Sequence, residues 1–117
     1  MNRFRELSYE EKALLVELLK SKPETLYIIG SLDGFVVKEM DDGGMGSFSL
    51  VPKDSQDTSR AFGRQLVLAE YTDRDGVPVS LALNVDSHGK LYELDVWKVN
   101  FAPLRAWPNP PDIRIVN

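Results

Sequence analysis

Residues 77–86 read Val77-Pro78-Val79-Ser80-Leu81-Ala82-Leu83-Asn84-Val85-Asp86, and they decide the fold. Val77, Val79, Leu81, Leu83 and Val85 fall on one side of a period-two repeat. Pro78, Ser80, Ala82, Asn84 and Asp86 fall on the other. Successive side chains of a strand point to opposite faces, so this run predicts an antiparallel strand with one face buried and one wet. Turn signals bound it on both sides. Before it, Arg74-Asp75-Gly76 makes a three-residue loop with Gly76 in the left-handed region. That loop pairs Tyr71 with Val79 and Val67 with Leu83, whereas a two-residue loop sets Glu70 against Val79. After it, His88-Gly89 reads as a two-residue turn with His88 at positive φ. It pairs Tyr92 with Val85, Leu94 with Leu83 and Val96 with Leu81. The expected buried face is Val67, Ala69, Tyr71, Val79, Leu81, Leu83, Val85, Tyr92, Leu94 and Val96.

A helix is available to cover that face. Ser8-Tyr9-Glu10-Glu11 fits the S-x-x-E capping box, and Leu14, Leu15, Leu18 and Leu19 then form one apolar stripe. Pro23-Glu24 opens a second short helix over residues 23–32, a reading favoured over the strand-like run Tyr27-Ile28-Ile29. From Phe35 the pattern turns to period two. Strands are expected at Phe35–Met40, Gly46–Val51, Arg64–Thr72, Val77–Asp86 and Leu91–Asn100. Residues 52–62 are polar and unpatterned, the longest loop. The tail from 101 is proline-rich and is expected to run extended along the surface. The fold is thus α+β, a single domain. One or two N-terminal helices (1–32) pack on a five-stranded, mainly antiparallel meander sheet (35–100), followed by the tail (101–117).

The same registers define the opposite sheet face as rows Leu66–Asn84–Glu93, Leu68–Ala82–Asp95 and Glu70–Ser80–Trp97. An aromatic anchor amid carboxylates and leucines is the make-up of a partner-binding patch. The competing reading has the 52–62 loop or the tail covering Trp97, Leu66 and Leu68. Glu93 and Asp95 lie ~6.5–7 Å apart along the strand, a spacing compatible with acid–base chemistry. With no third group or cleft in evidence, solvated acids account for them.

Composition narrows the classes. The chain has 117 residues, no cysteine and the single histidine His88, which excludes thiolate zinc sites, cysteine nucleophiles and multi-histidine metal sites. Asp73-Arg74-Asp75-Gly76 opens like a calcium loop, but the position needing a glutamate is Asn84, so no metal or cofactor is expected. Asp41-Asp42-Gly43-Gly44-Met45-Gly46 lacks the Lys-Ser/Thr of a phosphate cradle. It reads as a loop with glycines at positive φ and Asp41 and Asp42 at its tip. A net charge of −4 argues against nucleic acid, and no apolar run is long enough to span a membrane. Together with an N-terminus lacking an apolar signal core, this gives a soluble cytoplasmic domain as the expectation. Residues 41–100 hold 10 acids against 6 bases, so the sheet half carries the whole surplus.

The segments 42–47, 71–79 and Leu91–Leu104, with Glu93-Leu94-Asp95-Val96-Trp97-Lys98-Val99-Asn100-Phe101-Ala102-Pro103-Leu104 the most specific, resemble a family of small uncharacterised bacterial domains over residues 3–108. The family implies no catalytic residues. Size, acidity and layout also resemble, in type, the immunity proteins of contact-dependent growth inhibition and related toxin systems. The expectation is a non-enzymatic protein that binds a basic partner, a cognate toxin domain, through Trp97, Glu70, Glu93 and Asp95. Asp41, Asp42, Asp73 and Asp75 at loop tips extend that contact. A carboxylate-dependent hydrolase using Glu93 and Asp95, or a domain dimerising through the Trp97 face, are the alternatives.

Overall fold

The computed structural model describes residues 4–54 and 59–117. Helix α1 spans Tyr9–Leu19 and starts at the expected capping box. The Glu11 amide donates to Ser8 Oγ at 3.1 Å, and the Ser8 amide donates to Glu11 Oε1 at 2.9 Å. Arg5 then grips the Glu11 carboxylate with two 2.8 Å bonds, tying the chain before the helix to its first turn. Leu14, Leu15, Leu18 and Leu19 are fully buried, as the stripe requires. Residues Pro23–Gly34 form successive 3₁₀ turns, with proline in the first turn. Thr25, Ile28 and Leu32 face inward there. No helix among the described residues is long and apolar enough to cross a membrane.

Among the described residues the sheet has six strands, not five: β1 Phe35–Glu39, β2 Phe48–Pro52, β3 Phe62–Thr72, β4 Pro78–Asp86, β5 Leu91–Lys98 and β6 Arg114–Ile115. The order is β1-β2-β5-β4-β3-β6, all antiparallel. It departs from a plain meander at both ends. The β1–β2 hairpin crosses over to pair with β5, through Phe48–Leu94 and Ser49–Glu93. The tail, expected to run unpaired, returns to the free edge of β3 as β6. An unpaired strand edge leaves backbone donors and acceptors open, and Val116 and Asn117 take up those of Leu68. Of the expected 52–62 loop, residues 55–58 lie outside the described residues, and Phe62 already belongs to β3.

The β3–β4 register is the expected one, Tyr71 opposite Val79 and Val67 opposite Leu83. The β4–β5 register holds for Leu83–Leu94 and Leu81–Val96, then slips. Val85 faces Leu91 rather than Tyr92, across an irregularity at Asn84/Val85. The cause is the turn. Asp86 bonds Gly89 and Lys90 through its backbone, so the loop is Ser87-His88-Gly89, three residues and not two. Gly89 takes the positive φ (84°), and His88 does not. Leu91 therefore enters the core and Tyr92 is left half-buried. A second irregularity at Gln65/Val67 puts Gln65, not Leu66, in the row with Asn84 and Glu93, and turns Leu66 into the core. The rest of the expected buried face is buried, with α1 over it.

Candidate functional site

The candidate site is the outer sheet face, away from α1, together with the turn that follows β5. Alternation along β5 places Glu93, Asp95 and Trp97 outward and Leu94, Val96 and Lys98 inward. Cross-strand neighbours complete two rows, Ser49–Glu93–Asn84–Gln65 and Trp97–Ser80–Glu70–Arg114. Trp97 stays 45 % exposed, and of the tail its first residue, Phe101, packs on the ring. Beyond it the tail crosses on the helix side. There Trp107 packs against Phe48 with ring centroids 6.5 Å apart, and its Nε1 donates to the Glu10 carbonyl. Gly46 permits that approach, since a Cβ there would stand 3.0 Å from the Trp107 ring.

Two exposed apolar residues that sequence reasoning missed follow Trp97 in the chain. Val99 is 51 % exposed, and Phe101 is 63 % exposed with its ring edge-to-face on Trp97, centroids 4.8 Å apart at 77°. Phe101 has φ of 63°, the one non-glycine residue at positive φ among those described. A left-handed L-residue costs ~1–2 kcal/mol, and here it is held by a Phe101 amide bond to the Lys98 carbonyl at 2.8 Å. The two-residue spacing of Trp97, Val99 and Phe101 is not that of a strand face, because β5 ends at Lys98 and residues 99–100 turn.

The eight expected contact residues separate into three groups. Glu70, Glu93, Asp95 and Trp97 share the outer face. Glu70 pairs with Arg114, and Glu93 accepts from Asn84 Nδ2 at 2.8 Å. Asp95 is solvent-exposed, and among the described residues only the Ser47 hydroxyl approaches it, at 3.4 Å. Asp41 is exposed in the glycine-rich loop. The other three acids are engaged inside the molecule. Asp42 is not a tip residue, because its carboxylate accepts from the Met45 and Ser47 amides and closes its own loop. Burial raises its pKa, but those amides and the Ser47 hydroxyl outweigh burial and hold it below the ordinary aspartate value.

Asp73 and Asp75 are likewise not free loop tips. Both carboxylates hold the ammonium of Lys98, at 2.8 and 2.7 Å. The side chains of Lys98 and Asp73 are inaccessible to solvent. Asp73 also accepts from the Arg105 and Ala106 amides of the tail, at 2.8 and 3.0 Å, and Lys98 Nζ donates to the Pro103 carbonyl. Burial pushes the Asp73 carboxyl up. The Arg105 amide, the Lys98 ammonium and the Arg74 and Ala106 amides win and set it to about 2. Burial opposes the Lys98 charge too, but the two carboxylates raise its pKa overall. The ammonium thus fills the place between two aspartates that a bound cation would need. No group of three or more His, Asp or Glu among the described residues is arranged to hold a metal.

The model of a family described as a domain of unknown function, DUF6984, matches residues 4–108. The chain belongs to that family. The matched span holds the capped helix, strands β1 to β5, the Asp73–Lys98–Asp75 cluster and the Trp97–Phe101 pair, and it stops before β6. No curated protein and no solved structure gives a significant match.

Proposed function

We propose that this DUF6984 domain is a non-enzymatic binding protein whose outer sheet face takes up a basic protein partner, and that the partner is a bacterial toxin domain the chain neutralises. The observation that carries the reading is the exposed Trp97–Phe101 pair at the end of β5, beside Asp95, Glu93 and Glu70. Large aromatic rings at the centre of a patch, ringed by polar groups, are where binding energy concentrates. Charge supports a basic partner. Within residues 41–100, Asp73, Asp75 and Asp86 are matched by Lys98 and Arg60, which leaves 7 acids against 4 bases among the rest. An acidic surplus of that kind steers a cationic surface and fixes its orientation. A toxin acting on nucleic acid has such a surface.

The test starts from the open reading frame beside the gene. Its product and this chain should co-purify as a 1:1 complex with an association rate that falls steeply with salt. Trp97→Ala and the Glu93→Lys/Asp95→Lys double variant should each abolish protection against that product. Protection untouched by both variants removes this face from the reading. A salt-insensitive self-association lost in Trp97→Ala would assign the face to a dimer instead.

A further inference from the structure

We infer that the Trp97–Phe101 pair and Asp95 form a receptor for a single arginine side chain of the partner. This rests on the preceding reading that the outer face takes up a basic protein, and it names the group that is gripped. The two rings stand nearly perpendicular, at 77° and 4.8 Å, with most of the Phe101 ring and nearly half of Trp97 open to solvent. A cation over an indole or phenyl face is attracted by the ring quadrupole, and a planar guanidinium can lie flat on one ring with its edge toward the other. Asp95 lies two residues before Trp97 on the same strand face, ~6.5–7 Å away, within the span of a guanidinium fork stacked on the indole.

Of the other charges of this face, Glu70 and Glu93 are already engaged, and Lys38 stands on β1 at the far end of the Ser49–Glu93 row. Arg114 is taken by Glu70, and Glu93 holds Asn84. Ser47 Oγ accepts the Val96 amide at 2.8 Å and has the Val96 carbonyl at 3.3 Å, nearer than Asp95 Oδ1 at 3.4 Å. Asp95 is left as the carboxylate with open acceptor sites beside the ring pair. The backbone points the same way. Phe101 keeps a bulky ring in a left-handed conformation that glycine would adopt without cost, while the ring itself is mostly in water. A strained residue whose side chain the core does not need is best explained by what that side chain meets outside.

The experiment uses the full chain labelled with ¹⁵N. The two indole N–H signals are followed during titration with octa-arginine, octa-lysine and octa-glutamate peptides. Trp107, whose Nε1 is bonded to the Glu10 carbonyl across the molecule, is the internal control. Octa-arginine should move the Trp97 signal and not that of Trp107, with octa-lysine at least 5-fold weaker and octa-glutamate silent. Phe101→Gly, which relieves the backbone and so preserves folding, and Asp95→Asn should each weaken octa-arginine binding at least 10-fold. Equal response to octa-arginine and octa-lysine, or unchanged affinity in either variant, would overturn the arginine assignment. If the inference fails in this way while the co-purified partner still shields Trp97, the broader reading stands. If neither peptide nor partner touches Trp97, both fall.

Discussion

The two ends of β4 carry the same turn and use it differently. Asp73-Arg74-Asp75-Gly76 enters the strand and Asp86-Ser87-His88-Gly89 leaves it. In each, the first aspartate carbonyl accepts from the glycine amide, at 2.9 and 3.0 Å, and the glycine has φ near 80°: 81° and 84°. In each, that aspartate is buried and holds a cation. The difference lies in where the remaining acceptor sites go. Asp86 Oδ1 accepts from His88 and Lys90, inside its own turn. Asp73 accepts from Arg105 and Ala106, more than thirty residues away, and so fastens the tail to the sheet. The cations differ in kind as well. Arg60 spreads a planar fork over Asp86 and the carbonyls of Leu50 and Leu91, stitching β2 to β5 beyond their last ladder pair, and lies over the Tyr92 ring at 5.3 Å. Lys98 concentrates its charge on two carboxylates and one carbonyl. One local motif therefore closes a hairpin at one end and the tertiary fold at the other.

The largest expected effect separates these roles. Asp73→Ala leaves the buried Lys98 ammonium with Asp75 as its one carboxylate, strands two tail amides, and should cost ~3–5 kcal/mol in urea unfolding, with faster proteolysis within 103–117. Asp86→Ala should leave that tail as resistant as before. Equal tail cleavage in the two variants would break the contrast.

The second effect is on pH. Asp73 is depressed from 3.8 to about 2, so the folded state binds its proton more weakly than the unfolded chain does. The contribution, ~2 kcal/mol, is complete above pH ~4 and is lost as pH falls through about 2. Urea midpoints measured from pH 5 down to 2 should fall, and Asp73→Asn should flatten that fall. Lys98 works in the opposite sense. Its raised pKa gives stability that is present below the unfolded lysine value and disappears as pH rises through the folded one.

Third, Arg60→Lys keeps the charge at Asp86 but cannot reach both carbonyls, and should cost ~1–2 kcal/mol. A neutral result would mean that the ion pair, and not the fork, holds the Asp86 end. The smallest effect is expected beyond β5. Relief of strain in Phe101→Gly, ~1–2 kcal/mol, offsets loss of the ring pair, ~0.5–1.5 kcal/mol. Calorimetry should place this variant close to the parent melting temperature even though its binding is lost.

Much of the fold was legible because alternation and capping are local. The helix and its cap, the β3–β4 register and most of the core face followed from residues near one another in the chain. The second hairpin was misread by one residue, because His88-Gly89 satisfies a two-residue turn as well as it ends a three-residue one. Only the choice of which residue takes positive φ separates them. The outer face was legible as a surface, and Trp97, Glu93 and Asp95 lie on it together. Phe101 was not, since a strand read to Asn100 gave no hint of the turn that folds its ring back onto Trp97.

The charges show the boundary most sharply. The sequence by itself determined that the domain is α+β, that the sheet half is acidic, and that Trp97 faces outward, because composition and period two need no knowledge of distant contacts. It also held an inward-pointing lysine, Lys98, two residues after Val96 on a core-facing row. Only the tertiary structure decided that this lysine draws Asp73 and Asp75 in from the hairpin tip, that Arg60 takes Asp86, and that the tail becomes the sixth strand. Those pairings join residues 23 to 46 positions apart, and a carboxylate's partner is set by which charge the folded backbone brings within about 3 Å, a fact that no local pattern contains.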